Sequence, residues 1–198
     1  GDCYQFQTNQ LEDLSGTVIK SISTGTSGCK PIAVFSGNTW ATIGCNPSTT
    51  TPSGGDNLFQ QVTPTKSWGK QFVTAPFKNK TLDVYRIFLL TQGTQVTVKE
   101  NGIDRILGPS DFKTANKCYE ILSGNPLQIT ADKQISVVQY ITSQTCSPGT
   151  FSDPEMVILN PIEQTLSEIT FFSAHASYVP VGQTQVSQHY LNVIIDKK

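Results

Sequence analysis

Helical periodicity, long apolar runs and a surplus of charge of either sign are nearly missing from this chain. Charged residues make up only 15% of its 198 residues, and 14 Lys and Arg nearly balance 15 Asp and Glu. A net charge of −1 gives no basic surface for nucleic acid or an anionic membrane. The longest apolar run, Val84–Leu90, is interrupted by Arg86, and a membrane span needs about 18–20 apolar residues. We therefore expect no nucleic-acid partner and no membrane-spanning helix.

Residues that could carry chemistry are also sparse. His175 and His189 lie far in sequence from the five cysteines, and no two cysteines form a Cys-x-x-Cys pair, so the spacing disfavours a zinc site. The chain has neither the Gly-x-Ser-x-Gly motif of a serine nucleophile nor a Gly-rich phosphate-binding motif. We expect no catalytic residue, no cofactor and no metal, and we interpret both histidines as surface or half-buried strand positions.

What the chain has in quantity is the chemistry of β-strands and turns. Ser and Thr form about a fifth of it, and 15 Gly and 11 Pro are spread along it. Short β-branched or alternating runs between such residues indicate strands. We predict strands at Thr17–Ile22, Ile32–Phe35, Gln71–Ala75, Val84–Leu90, Gln95–Lys99, Leu127–Ile129, Ile135–Ile141, Met156–Leu159, Ile169–Phe172 and Leu191–Ile195. The predicted fold class is all-β, with antiparallel sheets in sandwich-like packing.

The turns between these runs differ in how specific a structure they predict. Asn101-Gly102 lies between two alternating runs, and both residues accept positive φ, so Gln95–Leu107 is predicted to be a hairpin. Asn46–Gly55 and Thr142–Asp153 are predicted to be loops. Loops on a rigid β scaffold often carry binding surfaces, although each can equally be a solvated connector.

The predicted strands fall into two sheet-rich halves, residues 1–76 and 77–165, followed by closing strands in residues 166–198. The halves can share one core. Cys3-Tyr4-Gln5-Phe6 is echoed by Cys118-Tyr119-Glu120-Ile121, and a Lys-x-Ile-x-Val pattern and a cysteine follow in both halves. The match is short and gapped, so both a duplication and coincidence stay open.

The five cysteines indicate disulfides and therefore an oxidising compartment, rather than five buried thiols of a cytosolic protein. The echo equates Cys3 with Cys118 and Cys45 with Cys146, and so favours the disulfides Cys3–Cys45 and Cys118–Cys146. Cys29–Cys45, with Cys3 left over, stays open as the rival pairing. It requires a sharp reversal of the chain, because bridged Cα atoms lie within roughly 7 Å.

Two groups of side chains offer alternative functions. Asp153 and Glu155 flank Pro154 and could serve acid–base chemistry, or could bind calcium with Asp56 and Asn57 if the loops converge. An Asp-Pro turn is the simpler interpretation. A hydrolase would also need one of the histidines beside these acids. A sugar-stacking platform could form from Trp40, Trp68, Phe72, Phe77 and Tyr85, although aromatic residues of β proteins more often pack in the core.

A set of short motifs occurs in order over roughly residues 11–165. They are Leu14-Ser15-Gly16-Thr17, Gly28-Cys29-Lys30-Pro31-Ile32-Ala33-Val34-Phe35-Ser36-Gly37, Asp56-Asn57-Leu58-Phe59-Gln60-Gln61, Trp68-Gly69-Lys70, Tyr85-Arg86, Ala131-Asp132-Lys133 and Asp153-Pro154-Glu155-Met156. As an ordered set they resemble the IgGFc-binding-protein N-terminal domain family, in the version carried by surface proteins of Bacteroidetes. Ser152 departs from the pattern, because the family usually has Gly before Asp-Pro, and this puts the geometry of that turn in doubt.

The resemblance implies an extracellular or cell-surface binding or adhesion module without enzymatic activity, joined to neighbouring domains of the same parent chain. Its ligand would be a protein or a glycan, and the alternative is a structural spacer without a specific ligand. No motif marks an Fc site, so Fc binding is not carried over. The family-motif residues singled out are Asp56, Trp68, Gly69, Asp153, Pro154 and Glu155. Because the chain opens at Gly1-Asp2-Cys3 in a strand-like pattern, we also expect a piece of a longer protein.

Overall fold

The structure is a computed structural model that describes residues 2–8, 13–23, 25, 28–44, 53–112, 118–146, 153–172 and 190–195. These ranges contain nine strands: β1 (Phe35–Ala41), β2 (Asp56–Gln61), β3 (Gly69–Val73), β4 (Asp83–Leu89), β5 (Val96–Glu100), β6 (Ile103–Leu107), β7 (Cys118–Ser123), β8 (Leu127–Ile141) and β9 (Glu155–Ile158). The helical segments found there are 3₁₀ turns of three residues each. Over the same ranges no helix has the length and apolarity to cross a membrane. Every strand pairing is antiparallel, which confirms the predicted fold class.

Strand β8 organises the larger sheet because it is long enough to pair with four neighbours. Its first part pairs with β5 on one edge and β3 on the other, as at Ile129, which lies opposite both Val98 and Phe72. Its second part pairs with β4 and β9, as at Tyr140, which lies opposite Val84 and Met156. β6 and β7 complete the seven-stranded sheet as its two ends. The sheet curls on itself about β8 and encloses a core.

The main core follows from the alternation of side chains along these strands. Every second residue of β4 points inward, and the facing residues of the other strands meet it in one buried cluster. The cluster contains Phe72, Tyr85, Ile87, Leu89, Val96, Val98, Leu107, Phe112, Ile121, Leu127, Ile129, Ile135 and Val137. Phe72 belongs to the predicted first half and the remaining residues to the second. The boundary at residue 76 therefore crosses a shared core, and the division into halves stays a prediction.

A second core lies on the opposite face of β4 and β8, where the two-stranded ribbon β1–β2 covers the sheet. Leu58 of β2 and Ile43 pack there against Val84, Val138 and Tyr140. Two hydrogen bonds join Ile43 to Ser143, each 2.9 Å long. The ribbon is thus fixed to the sheet by one of its faces, and its other face is left outward.

The hairpin predicted at Gln95–Leu107 is confirmed. β5 and β6 pair in register from Val96 with Leu107 to Glu100 with Ile103. Asn101 and Gly102 have φ of 51° and 81°, the left-handed values that a two-residue hairpin turn requires.

Several predicted strands are corrected by the structure. Thr17–Ile22 and Leu191–Ile195 form no strand, and neither does Ile169–Phe172. Each is apolar enough for a strand, but an extended segment is stabilised only by a paired neighbour, and no pairing of these segments occurs among the described residues. The segment Ile32–Phe35 becomes strand only from Phe35 onward, and the two runs Leu127–Ile129 and Ile135–Ile141 belong to one strand.

The predicted disulfides are also corrected. Cys3 and Cys29 are free, exposed thiols, so neither Cys3–Cys45 nor the rival Cys29–Cys45 forms. Cys118 is buried and in no disulfide, so Cys118–Cys146 is wrong as well. Cys45 itself lies outside the described residues.

The register of β4 explains why Cys118 and Cys146 cannot meet. Cys118 pairs with Phe88 at one end of β4, whereas Cys146 contacts the carbonyl oxygen of Gly44, which lies beside Val84 near the other end. Four residues of strand separate Phe88 from Val84 by about 13 Å, and bridged Cα atoms lie within roughly 7 Å.

Candidate functional site

The outward face of the ribbon carries a group of exposed aromatic side chains. Phe35 of β1 and Phe59 of β2 stack with their ring centroids 5.5 Å apart and their planes 5° apart. They are 53% and 66% exposed. Two large apolar rings held together in solvent are a feature of interaction surfaces more than of ordinary protein surface.

A bulge in β1 brings a third aromatic residue to this face. Asn38 pairs with Leu58 and Ala41 with Asp56, so three steps along β1 match two along β2 and one residue of β1 is extra. Because Ala41 packs inward with the second core, its neighbour Trp40 points outward, and Trp40 is 69% exposed. We call Phe35, Trp40 and Phe59 the aromatic face.

Two glycines allow the close packing of the ribbon at the aromatic face. A side chain at Gly37, opposite Phe59, would place its Cβ 2.0 Å from the Leu58 carbonyl oxygen. A Cβ at Gly55 would lie 2.7 Å from the indole of Trp40. The close approach of the strands at Gly37 and the seat of Trp40 over Gly55 both depend on glycine.

The family-motif residues of the first half are structural in their contacts. Trp68 is half-buried, and its carbonyl accepts a 3.0 Å hydrogen bond from Gln134. Gly69 is buried against Pro161, where a Cβ would lie 2.2 Å from the proline ring. Asp56 is exposed and accepts a 2.6 Å bond from the amide of Asn57. Gly69 therefore packs β3 against the segment that follows β9, and the Trp68 carbonyl bonds to β8.

The acidic motif of the second half is a turn that enters a strand. Asp153 is exposed, Pro154 is buried and Glu155 is the first residue of β9, paired with Ile141. No group of three or more His, Cys, Asp or Glu side chains that could hold a metal occurs within the described ranges. His175 and His189 lie outside those ranges, so a meeting of a histidine with these acids stays untested.

One carboxyl group is deeply buried, between β3, β4 and β8. Oδ2 of Asp83 accepts 2.8 Å hydrogen bonds from the Phe77 amide and from Nε2 of Gln139. The Tyr85 hydroxyl lies 3.4 Å from the same oxygen. Burial raises the pKa of Asp83, and these hydrogen bonds oppose the rise in part. With no exposed surface, this carboxyl cannot touch a substrate.

The aromatic candidates predicted from sequence thus separate into two sets. Phe72 and Tyr85 belong to the main core, and Trp68 and Phe77 are half-buried, so these four form no sugar-stacking platform. Trp40 is exposed, but its companions are Phe35 and Phe59, which are not among the aromatic candidates predicted from sequence. Only the pairing of β1 with β2 brings them together.

Comparison with known proteins gives one match. The model of the family described as IgGFc binding protein matches residues 1–198. Neither the curated proteins nor the solved structures include a significant match to the chain. The family match spans every motif that suggested the resemblance, and the chain belongs to the IgGFc-binding protein family.

Proposed function

We propose that this chain is a non-enzymatic, extracellular binding module whose ligand is a protein and whose contact surface is the aromatic face. The observation that carries the proposal is the stacked, exposed pair of Phe35 and Phe59. Aromatic anchors of this kind supply much of the binding energy of protein interfaces. The description of the family as IgGFc binding protein favours a protein over a glycan.

The construction of the ribbon supports a surface made for contact. Its inward face is held by Leu58 and its neighbours in the second core, so the outward face is presented on a fixed support. A rigid patch loses little conformational entropy when a ligand covers it. A spacer without a ligand would gain nothing from keeping three large aromatic side chains in water.

Replacing both phenylalanines by serine should weaken ligand binding strongly and leave the fold intact. The probe is the purified Fc fragment of immunoglobulin G, and the measurement is its Kd for the immobilised chain by surface plasmon resonance. We expect the double variant Phe35→Ser with Phe59→Ser to weaken binding at least ~30-fold, since loss of an interface anchor costs about 2 kcal/mol or more. Ile106→Ser, at an exposed apolar residue of β6, is the matched control and should change Kd less than about twofold.

The outcomes of this experiment test the contact surface and the ligand separately. Equal binding by the wild type and the double variant would remove the aromatic face from the proposal. Absence of Fc binding up to about 1 mM, which corresponds to a binding free energy of only about −4 kcal/mol, would overturn the assignment of a ligand through the family. Circular dichroism of the double variant checks that its fold is unchanged.

We infer further that Cys146 pairs with Cys45, which supports an oxidising, extracellular location. The Sγ of Cys146 lies 3.1 Å from the carbonyl oxygen of Gly44, the residue before Cys45 in the sequence. The other three cysteines are in no disulfide. The bridge would reinforce the hydrogen bonds that fix the ribbon to the end of β8.

Non-reducing peptide mapping by mass spectrometry should therefore find a peptide pair linked through Cys45 and Cys146. We expect Cys146→Ser to lower the free energy of unfolding by about 2 kcal/mol, in line with the loss of other native disulfides. Cys29→Ser, at a free exposed thiol, is the control and should have no measurable effect. A reduced Cys146 in protein purified without reductant would contradict the pairing.

A further inference from the structure

A second surface, to which β1 and β2 contribute no lining residue, lies between the two end strands of the curled sheet. There a cleft of about 250 Å³ opens between the β5–β6 hairpin and β7. Its lining residues are Val98, Glu100, Asn101, Ile103, Arg105 and Ile121. Sites for small molecules usually measure about 300–1,000 Å³, so this cleft is better matched to one apolar side chain of a larger ligand.

One end of the cleft presents a fixed carboxylate. Oε1 of Glu100 accepts hydrogen bonds from the Ser123 hydroxyl at 2.5 Å and from Nδ2 of Asn125 at 2.9 Å. The Ser123 bond, followed by the Asn125 bond, lowers the pKa of Glu100, so this group is ionised at neutral pH. Its second oxygen, Oε2, makes no hydrogen bond within the described part of the chain and can accept one from a ligand cation.

The other end of the cleft presents a positioned cation. The guanidinium of Arg105 lies over the ring of Tyr119, 5.2 Å from its centroid. This contact holds the group in place without using its N–H donors, and no acceptor for them occurs among the residues that the structure describes. A guanidinium that is held in place with its N–H donors unused can bind a carboxylate of a ligand.

The β7 residues that hold these two charges indicate the kind of ligand. The Glu100 carboxylate bonds to Ser123, and the Arg105 guanidinium lies over Tyr119. Tyr119 and Ser123 are four residues apart on β7, which corresponds to about 13 Å of strand. Ile121 lies midway and forms the apolar floor. In an extended peptide, residues i−2, i and i+2 share one face and span the same 13 Å.

The backbone of β7 can accept such a peptide. Among the described residues β7 pairs only with β4, so its other edge is an open sheet edge. A strand added there would direct alternate side chains into the cleft and cover Ile103, which is 74% exposed. Addition of a strand to an open edge, with pockets for alternate side chains, is an established mode of peptide recognition.

We propose that this cleft binds an extended peptide of the pattern basic-x-apolar-x-acidic, added antiparallel to β7. The basic side chain meets Glu100, the apolar one lies on Ile121 and the acidic one meets Arg105. Antiparallel addition fixes the order, because β7 runs from Tyr119 towards Ser123 and the ligand enters at Ser123. The inference goes beyond the proposed function and rests on it only for the protein nature of the ligand.

The first test uses a fluorescein-labelled peptide, Ser-Lys-Thr-Leu-Thr-Asp-Ser, with blocked ends and the intact chain. Fluorescence anisotropy should give a saturable Kd. The reversed sequence and the peptide with Ser in place of Leu should each bind at least ~10-fold more weakly. Equal binding of the reversed peptide would overturn the charge pattern. A Kd above about 1 mM for the original peptide would overturn the site.

A charge exchange then locates the contact. Arg105→Glu should weaken binding about 10-fold or more, and a peptide with Lys in place of Asp should restore it. Lys99→Glu changes the net charge equally but lies on the opposite face of β5, and should leave Kd within about twofold. Failure of the exchanged peptide to recover binding would place the peptide elsewhere.

The two surfaces can fail separately. The Phe35→Ser, Phe59→Ser double variant should bind the peptide as the wild type does, because the ribbon contributes nothing to the cleft. Arg105→Glu should bind the Fc probe as the wild type does. A variant of one surface that removes both activities would contradict the independence of the cleft.

Discussion

Leu58→Ala is expected to lower the free energy of unfolding by about 2–5 kcal/mol. Leu58 is the apolar side chain of β2 that enters the second core, where it packs with Ile43, Val84, Val138 and Tyr140. Its removal would leave a cavity between the ribbon and the sheet, because the hydrogen bonds between Ile43 and Ser143 limit how far the ribbon can close it. Urea unfolding followed by tryptophan fluorescence measures the change.

The neighbouring residue supplies the control. Phe59 is larger than Leu58 but points to the opposite side of the same strand and is mostly exposed. Phe59→Ala should therefore cost no more than about 1 kcal/mol, the value of one aromatic pair. If Phe59→Ala destabilised the chain as much as Leu58→Ala, the assignment of inward and outward faces of the ribbon would be wrong, and the aromatic face with it.

The parts of the fold that were predictable from sequence are those specified locally. Asn101-Gly102 encodes its own turn, because both residues tolerate positive φ, and the alternation of Val96 and Val98 defines the buried side of β5. Strand β4 was predictable for a different reason: it is buried on both faces and reads as a nearly continuous apolar run.

The parts that were missed depend on neighbours distant in sequence. β8 reads as two strands because Asp132, Lys133 and Gln134 interrupt its apolar pattern, yet the strand continues where Gln95 bonds to Asp132. β1 contains Gly37 and Asn38, which weaken the strand signal, and it exists because β2 pairs with it. The opposite error occurs at Leu191–Ile195, where strong β propensity predicted a strand that the structure does not contain.

The two surfaces proposed for binding were hidden from sequence for the same reason. Phe35 and Phe59 are brought together by a pairing register, and Trp40 joins them through a bulge of one residue. In the sequence, Glu100 and Arg105 look like ordinary charged residues of a hairpin. Their role in a binding site becomes visible only in the structure, where Arg105 contacts Tyr119 and Glu100 contacts Ser123 on β7. Family motifs such as Trp68-Gly69 correspond to residues that pack within the scaffold and not to residues of the two proposed binding surfaces.

Removal of the buried carboxyl of Asp83 is the second large effect expected. Asp83→Ala leaves the amide of Phe77 without its acceptor. It also removes one of three acceptors from Nε2 of Gln139, which bonds as well to the Ala75 carbonyl and the Tyr85 hydroxyl. An unsatisfied buried donor costs about 1–3 kcal/mol and the lost packing adds to it, so we expect a loss of about 2–4 kcal/mol. Asp83→Asn keeps an acceptor in place and should cost less.

The pH dependence of the Asn variant tests the state of this carboxyl. Burial raises the pKa of Asp83 in the folded chain above its value in the unfolded chain, so the native state holds the proton more tightly. The contribution of Asp83 to stability is then fully present below the unfolded pKa of about 3.9 and is lost as pH rises through the folded pKa. Asp83→Asn cannot titrate, so its stability relative to the wild type should improve from pH 3.5 to pH 7.

Urea midpoints measured for both proteins across this pH range test the expected change in relative stability. A constant difference between the two curves would mean that the pKa of Asp83 is the same in the folded and unfolded chains, and a difference that moves the other way would mean that the folded environment favours the charged form.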